Sequence, residues 1–327
     1  MGFITLPGES SITGWVMDFA NCCTAQLAER GACSINIQRV TALPDGQRMI
    51  GLGGFVTFRV LGSVGIINGT GLTALRGARQ CTLLALLLLK AGEPVTKEQF
   101  FEELWEEGIP SQPGNALQAQ VARLRKVLRA ELGDEFVGRR LITRPSSYVL
   151  DVDPLEVDVH LFGSLTKQAR ASMRSDPVGA RELFDRALSL WHGAPLEGVT
   201  GGPICQSAAA QFEENRLSAV EARIQLDIAI DGYAQAVSEL KMLAYLAPWR
   251  ERLFELLMVC LYRLGRQAEA IQTYNQLRSR LVEEFGMEPS PSVKSCMMAI
   301  LNQDPALGGA ERLVVARTPL AGSAVAS

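Results

Sequence analysis

The chain has 327 residues, of which 47% are hydrophobic and 20% are charged, and this length is enough for about two domains. Its 32 basic and 35 acidic side chains give a formal net charge of −3, which excludes a protein that coats nucleic acid or membranes through bulk positive charge. No run reaches the ~18 apolar residues that a membrane span needs, and the start of the chain lacks the basic segment of a secretory signal. We therefore expect a cytoplasmic protein without a membrane partner.

Cysteine and histidine usage argues against a metal centre or a catalytic triad. Seven cysteines occur without a C-x-x-C pair, and the two histidines, His160 and His192, are far apart in the sequence. The chain contains neither a G-x-x-x-x-G-K-[ST] phosphate loop nor a G-x-S-x-G nucleophile motif. We therefore expect no enzyme activity, no cofactor and no bound metal.

Charge divides the chain into unlike segments. Residues 1–54 carry three basic and four acidic side chains. Residues 55–150 carry twelve basic and nine acidic side chains, and the rest of the chain carries seventeen basic and twenty-two acidic ones. The middle segment is therefore basic although the whole chain is acidic. Residues 1–54 show neither a sustained helical period nor strand alternation, and we interpret them as a loosely ordered extension.

From residue 55 the pattern indicates a small sheet, then helices, then a hairpin. The predicted strands of the sheet are at 56–61, 64–67 and 72–75. Three helices follow, over 79–90, 97–106 and 115–130. Two short strands, at 140–144 and 148–152, flank a turn. The acidic residues of the second helix are interpreted as its solvated side: Glu102, Glu103, Glu106 and Glu107.

The third predicted helix has two contrasting faces. At 100° per residue, one apolar stripe faces a core, and it consists of Leu117, Val121, Leu124 and Leu128. The opposite face holds amide, basic and alanine side chains, namely Asn115, Gln118, Ala119, Ala122, Arg123, Lys126 and Arg129. Alanines let a helix backbone approach the major groove closely, and amide and guanidinium groups pair with base edges and phosphates. An ordinary amphipathic helix with a basic, solvated side is the alternative.

A long motif around this helix resembles the OmpR-type winged helix of the Streptomyces antibiotic regulatory protein family. It runs from Glu103-Leu104-Trp105 through the third helix to Leu128, and continues in Leu141-Ile142-Thr143-Arg144 and Tyr148-Val149-Leu150. The resemblance covers residues 55–305. It implies that the third helix is the recognition helix and that the hairpin is a wing that reaches a neighbouring groove.

The same resemblance assigns DNA contacts by position. It places Asn115, Gln118, Ala119 and Arg123 at bases or groove walls, Gln120, Arg125 and Lys126 at phosphates, Arg144 in the wing contact, and Trp105 near the DNA backbone. For Trp105, a core aromatic that closes the second helix is the alternative. One position departs from the family, because Ser147 stands where relatives have Gly before the wing tyrosine. A turn with positive φ is harder for Ser, so we expect a differently shaped wing.

The acidic second half predicts an array of helix pairs. Ala236 and Ala270 are each followed four positions later by a large residue, and the two alanines are 34 residues apart. Pro248 follows Ala236 by 12 residues. These spacings are typical of tetratricopeptide repeats, which offer a concave surface to a protein partner. The predicted pairs are 216–230 with 233–244, and 253–264 with 267–284. The end of the array also resembles the bacterial transcriptional activation domain of the same family, and a purely structural spacer is the alternative.

The predicted fold class is therefore mainly α with small β, a winged helix-turn-helix domain followed by an α-helical TPR-like repeat domain. The predicted segments are an extension at 1–54, a winged helix at 55–153, an activation domain at 154–305 and a disordered tail at 306–327.

The resemblance implies a sequence-specific transcriptional activator of a secondary-metabolite gene cluster. It implies a homodimer on direct repeats of double-stranded promoter DNA near the −35 region, recruitment of RNA polymerase holoenzyme, and association with the nucleoid. The alternative is a helical-repeat adaptor whose winged helix no longer reads DNA, which the net acidity and Ser147 favour.

Overall fold

The computed structural model describes residues 57–69, 71–105, 108–304 and 307. The chain divides into two compact units, the first reaching Leu165 and including Ala187–Asn215, the second consisting of Thr166–Arg186 and the chain from Arg216 onward. The predicted extension and all of the predicted tail except Leu307 lie outside the described residues. The predicted domain boundary between residues 153 and 154 stays a prediction.

The first unit begins with the small antiparallel sheet expected from the sequence. Its strands, in the order β1-β2-β3, are β1 (Phe58–Arg59), β2 (Gly65–Asn68) and β3 (Gly71–Ala74). Phe58 pairs with Ile66, which in turn pairs with Thr73. The three strands predicted from the sequence pattern are therefore present in the structure.

Four helices follow the sheet: α1 (Ala78–Leu89), α2 (Lys97–Leu104), α3 (Pro113–Leu132) and α4 (Asp134–Arg140). The first three are confirmed, and α1 is buried from Cys81 to Leu88, which explains its apolar composition on every face. Helix α4 was not predicted from the sequence. The signal for it was present, because its first turn is acidic and its last turn is basic, an order that complements the helix dipole.

The hairpin after α4 forms one edge of a second sheet, in the order β4-β6-β5. Its strands are β4 (Pro94–Thr96), β5 (Leu141–Thr143) and β6 (Ser147–Leu150). The two hairpin strands confirm the prediction, whereas β4 was not expected. Thr96 also caps α2, because its hydroxyl accepts from Gln99 N at 3.3 Å while Gln99 Oε1 accepts from Thr96 N at 3.0 Å.

The prediction that Glu103 lies on the solvated side of α2 is wrong. Glu103 is 1% exposed and accepts hydrogen bonds from Ile204 N at 2.6 Å and Cys205 N at 3.2 Å. These N–H groups belong to the first turn of a helix that begins at Pro203, within the same unit, so the carboxylate caps that helix. Glu102 is exposed as expected, and Glu106 and Glu107 lie outside the described residues.

Three helices contribute residues to both units: α5 (Asp158–Ser172), α6 (Pro177–Leu188) and α7 (Pro203–Ala229). A single turn of 3-10 helix, Pro154–Glu156, precedes α5. In the first unit, the Asp158 carboxylate accepts from Val60 N and from Leu61 N, each at 2.9 Å. It therefore fixes the chain after β1 to the start of α5.

The environment of Asp158 predicts a pH-dependent stability. Burial raises the pKa of this carboxyl group to about 6, although hydrogen bonds from Leu61, Val60 and Val159 act in the opposite direction. The Asp158 carboxyl group therefore keeps its proton to higher pH in the folded state than in the unfolded state. Its contribution to the free energy of unfolding is full below pH ~4 and is lost as pH rises through about 6.

Between pH 5 and pH 7 the free energy of unfolding of the wild type should fall by about 1 kcal/mol relative to Asp158→Asn. Urea titrations at several pH values measure this difference. A difference that does not change with pH would contradict the assignment.

The second unit contains helices at the positions of the expected pairs. Its helices after α7 are α8 (Tyr233–Leu246), α9 (Glu251–Arg263), α10 (Gln267–Phe285) and α11 (Pro291–Leu301). Ala236 and Ala270 are buried, as the repeat spacing predicts, and α9 packs against α8, α10 and α11. The last of these helices was not predicted. Within the described residues, no helix combines the length and apolar composition that crossing a membrane requires.

Candidate nucleic-acid interface

Helix α3 has the two faces that its sequence predicts. The residues of the apolar stripe, Leu117, Val121, Leu124 and Leu128, are each at most 2% exposed. The residues of the opposite face are all exposed: Asn115, Gln118, Ala119, Ala122, Arg123, Lys126 and Arg129. We call this set the outer face of α3. The structure thus brings amide, basic and alanine side chains together on one accessible side of a rigid helix.

The cations near the outer face differ in whether they are neutralised. Arg129 forms an ion pair with Asp134 at 3.0 Å. Among the described residues, none forms an ion pair with Arg123, Lys126 or Arg144, and all three side chains are exposed. These three positive charges are therefore available to an anionic partner such as a phosphate backbone.

Two of the residues assigned to phosphates are engaged inside the protein. Gln120 is half-buried, and its Oε1 accepts from Gln80 Nε2 of α1 at 2.6 Å. Arg125 is also half-buried and donates to Leu141 O at 3.2 Å and to Thr143 Oγ1 at 2.7 Å. Gln120 thus ties α3 to α1, and Arg125 ties α3 to strand β5 of the hairpin. Both side chains fix the position of the outer face.

The tip of the hairpin is a closed turn. Arg144 N donates to Ser147 O at 2.9 Å, and Lys97 N of α2 donates to Ser146 O at 2.9 Å. The Lys97 ammonium also donates to Pro145 O at 2.5 Å. Arg144 is exposed at this tip, on the hairpin that Arg125 joins to α3.

Ser147 does not require the backbone conformation that favours glycine. Within the described chain, the non-glycine residues with positive φ are Leu196, Asp231 and Gln303. Ser147 is instead the first residue of β6, is buried and pairs with Thr96 of β4. The turn therefore forms with serine in place of the usual glycine of the family.

Trp105 lies apart from the outer face. It is 8% exposed, and its ring centroid is 5.9 Å from that of Phe101, one turn earlier in the chain. As the C-cap residue of α2, it covers the end of that helix. This position fits the core aromatic that was the alternative reading of Trp105.

The described residues provide no site for a metal ion: no group of three or more His, Cys, Asp or Glu side chains is arranged to hold one. The cysteines in this part of the chain are free and buried: Cys81, Cys205, Cys260 and Cys296. Burial raises the pKa of the Cys296 thiol to about 12, and a thiol with such a pKa is a poor nucleophile at neutral pH.

Two protein-family descriptions match the chain. The description "Transcriptional regulatory protein, C terminal" matches residues 74–145, which include α1 to α4 and β5. The description "Bacterial transcriptional activator domain" matches residues 157–301, which include α5 to α11.

Individual proteins are similar over most of the chain. Transcriptional regulator RedD of Streptomyces coelicolor is 39% identical over 262 residues, which cover 80% of this chain and 75% of that protein. Regulatory protein DnrI of Streptomyces peucetius is 34% identical over 245 residues, which cover 73% of this chain and 89% of that protein.

A solved structure, Mycobacterium tuberculosis EmbR in complex with a low-affinity phosphopeptide, has the same fold. It aligns with a TM-score of 0.73 at 24% sequence identity, over 79% of this chain and 68% of that one. This similarity, together with the element order above, confirms the predicted fold class of a winged helix followed by a helical domain.

Proposed function

The chain belongs to the Streptomyces antibiotic regulatory protein family of transcriptional activators, and we propose that it binds direct repeats near a promoter −35 region through the outer face of α3. The observation that carries this proposal is the exposure of Arg123 and Lys126 without an ion-pair partner among the described residues. An unpaired cation on an exposed helix face is available to a phosphate, whereas a cation such as Arg139 is already paired, with Glu135 at 3.0 Å.

The side chains of the outer face suit different parts of a DNA groove. Ala119 and Ala122 leave the helix backbone free to approach the groove, which just admits an α-helix. Asn115, Gln118 and Arg123 carry the amide and guanidinium groups that pair with base edges. Lys126 on α3 and Arg144 at the hairpin tip are suited to phosphates, which fix orientation without reading sequence.

The resemblance to the family supports the remaining parts of the proposal. Two protomers occupy the repeats, and the helical repeat domain recruits RNA polymerase holoenzyme to a secondary-metabolite gene cluster. The protein acts in the cytoplasm on nucleoid DNA and has no catalytic activity of its own. Two half-buried residues hydrogen-bonded within the protein, Gln120 and Arg125, set the position of α3.

Run-off transcription tests this function. DNA fragments that tile the neighbourhood of the gene are incubated with the purified protein and RNA polymerase holoenzyme. We expect one promoter with spaced direct repeats to give more transcript with the protein than without it, and scrambled repeats to abolish the increase. If no fragment gives a protein-dependent increase, the proposed function is wrong.

Lys126→Ala should reduce the salt dependence of DNA binding. Loss of one phosphate contact lowers the slope of log affinity against log salt concentration by about 1, and it weakens binding to specific and non-specific DNA alike. Fluorescence anisotropy with a labelled duplex at several salt concentrations measures the slope.

Lys167→Ala is the matched control, because Lys167 is an exposed lysine on α5 outside the proposed interface. Its slope should equal that of the wild type. A wild-type slope in Lys126→Ala would exclude Lys126 from the phosphate contacts.

A further inference from the structure

A cavity of about 740 Å³ lies within the first unit. It is an open cleft bounded by the end of α1, the first turns of α5 and the first half of α7, and its lining residues all belong to that unit. Sites for small organic molecules typically have volumes of about 300–1,000 Å³. The cavity therefore has the size of such a site, and it is separate from the outer face of α3.

Helix α7 supplies one wall with two rows of side chains spaced four residues apart. The inner row is apolar and consists of Ile204, Ala208 and Phe212. The outer row includes Ser207 and Gln211, which are exposed polar residues at the rim. Side chains four apart lie on the same face of a helix, so the wall is apolar inside and polar outside.

Helix α5 supplies the opposite wall with Phe162 and Gly163. A methyl group built on Gly163 would meet no atom within 4 Å, so the space beside it is open. Ala208 in the inner row of α7 is also small. Small residues on both walls therefore leave room for the body of a ligand, and the half-buried Phe212 provides aromatic surface for it.

The charge of the cavity is positive. Two basic residues, Lys90 and His160, are among the residues that line the cavity, and none of the described acidic residues lines it. The Lys90 ammonium forms no ion pair with any described residue. Two acidic groups next to lining residues are engaged within the protein: Asp158, which precedes Val159, accepts from Val60 and Leu61, and Glu103 accepts from Ile204 and Cys205. The Nε2 atom of His160 lies 3.2 Å from Leu88 O, so this nitrogen carries its hydrogen and donates to the carbonyl.

We propose that this cavity binds an amphipathic organic anion, such as an aromatic carboxylate or phenolate. Its apolar body lies between Phe212 and the open space beside Gly163, and its anionic group lies at Lys90. The polar rim of α7 faces the solvent-exposed part of the molecule. This inference is independent of the DNA contacts of α3.

The probe for the test is 8-anilinonaphthalene-1-sulfonate, an aromatic anion whose fluorescence rises in an apolar site. The full chain is titrated, and we expect one saturable site. In Lys90→Gln the dissociation constant should rise about tenfold, because the anion loses its charged partner. The uncharged probe N-phenyl-1-naphthylamine should bind the wild type and Lys90→Gln alike.

Two variants close the cavity in different ways. Gly163→Leu fills the space beside α5, and Ser207→Trp covers the rim from an exposed position that leaves the core untouched. Both should abolish the saturable binding. Gly138→Leu is the matched control, because Gly138 is a helical glycine in α4 that also faces open space but does not line the cavity.

Circular dichroism first confirms that each variant is folded. If Gly163→Leu does not fold, Ser207→Trp decides the outcome. Saturable binding that survives the closed cavity, or that is equally strong in Lys90→Gln, would overturn the proposal. The absence of any saturable site in the wild type would overturn it as well.

Discussion

Arg123→Ala should lower the affinity for a specific operator about 30-fold, which corresponds to about 2 kcal/mol of binding free energy. Arg123 is exposed on the outer face of α3, between Ala119 and Lys126, and has no ion-pair partner among the described residues. A guanidinium group in this position can donate two hydrogen bonds to one guanine. Anisotropy titrations with the operator and with a scrambled duplex measure the two affinities.

The loss should be larger on the operator than on the scrambled duplex, since a base contact carries specificity and a phosphate contact does not. Arg139→Ala is the matched control. Arg139 is an equally accessible arginine, 79% exposed in its side chain, but it lies on α4 and pairs with Glu135. An equal loss on both duplexes would make Arg123 a phosphate contact, and no loss would remove it from the interface.

Glu103→Ala should lower the free energy of unfolding by about 2–4 kcal/mol. The substitution leaves the N–H groups of Ile204 and Cys205 without their acceptor in a buried setting, and it opens a space between α2 and α7. It also removes a negative charge from the positive end of α7. Urea titration followed by circular dichroism measures the change.

The neighbouring residue provides the control. Glu102 is exposed on the same helix, so Glu102→Ala should change the free energy of unfolding by no more than about 0.5 kcal/mol. Glu103→Gln keeps one acceptor oxygen without the charge and should give an intermediate loss. If Glu103→Ala is as stable as Glu102→Ala, the carboxylate does not cap α7.

Features that follow from local residue spacing could be predicted from the sequence. The apolar stripe of α3, from Leu117 to Leu128, and the small residues Ala236 and Ala270 are buried as their periods predict. Each of these patterns repeats along one helix, and one face of the helix must pack against a core for it to be stable. The exposure of Arg123 and Lys126 follows from the same geometry.

Contacts between a side chain and a partner far away in the sequence could not be predicted. The acidic cluster that contains Glu103 has the composition of a solvated face, and its hydrogen bonds go to backbone groups 101 and 102 residues later. Arg125 and Gln120 have the residue types of phosphate contacts, and the hydrogen bonds that join them to Thr143 and Gln80 were not expected, so their contact with DNA stays a prediction. No local period reports such pairings, so these roles became visible with the structure.

The adaptor alternative loses one of its two supports. It rested partly on Ser147, which was expected to disturb the wing. The turn closes through the hydrogen bond from Arg144 N to Ser147 O, and Ser147 does not have a positive φ. The net acidity of the chain is the support that is left, and it resides mainly in the second half of the sequence, away from α3.

Genome-wide footprinting with the purified protein tests the central claim, that the outer face of α3 reads DNA. The wild type is compared with the double variant Arg123→Ala, Lys126→Ala and with Arg139→Ala. We expect protection at spaced direct repeats in the wild type and in Arg139→Ala, and loss of that protection in the double variant. Protection that persists unchanged in the double variant would contradict the claim.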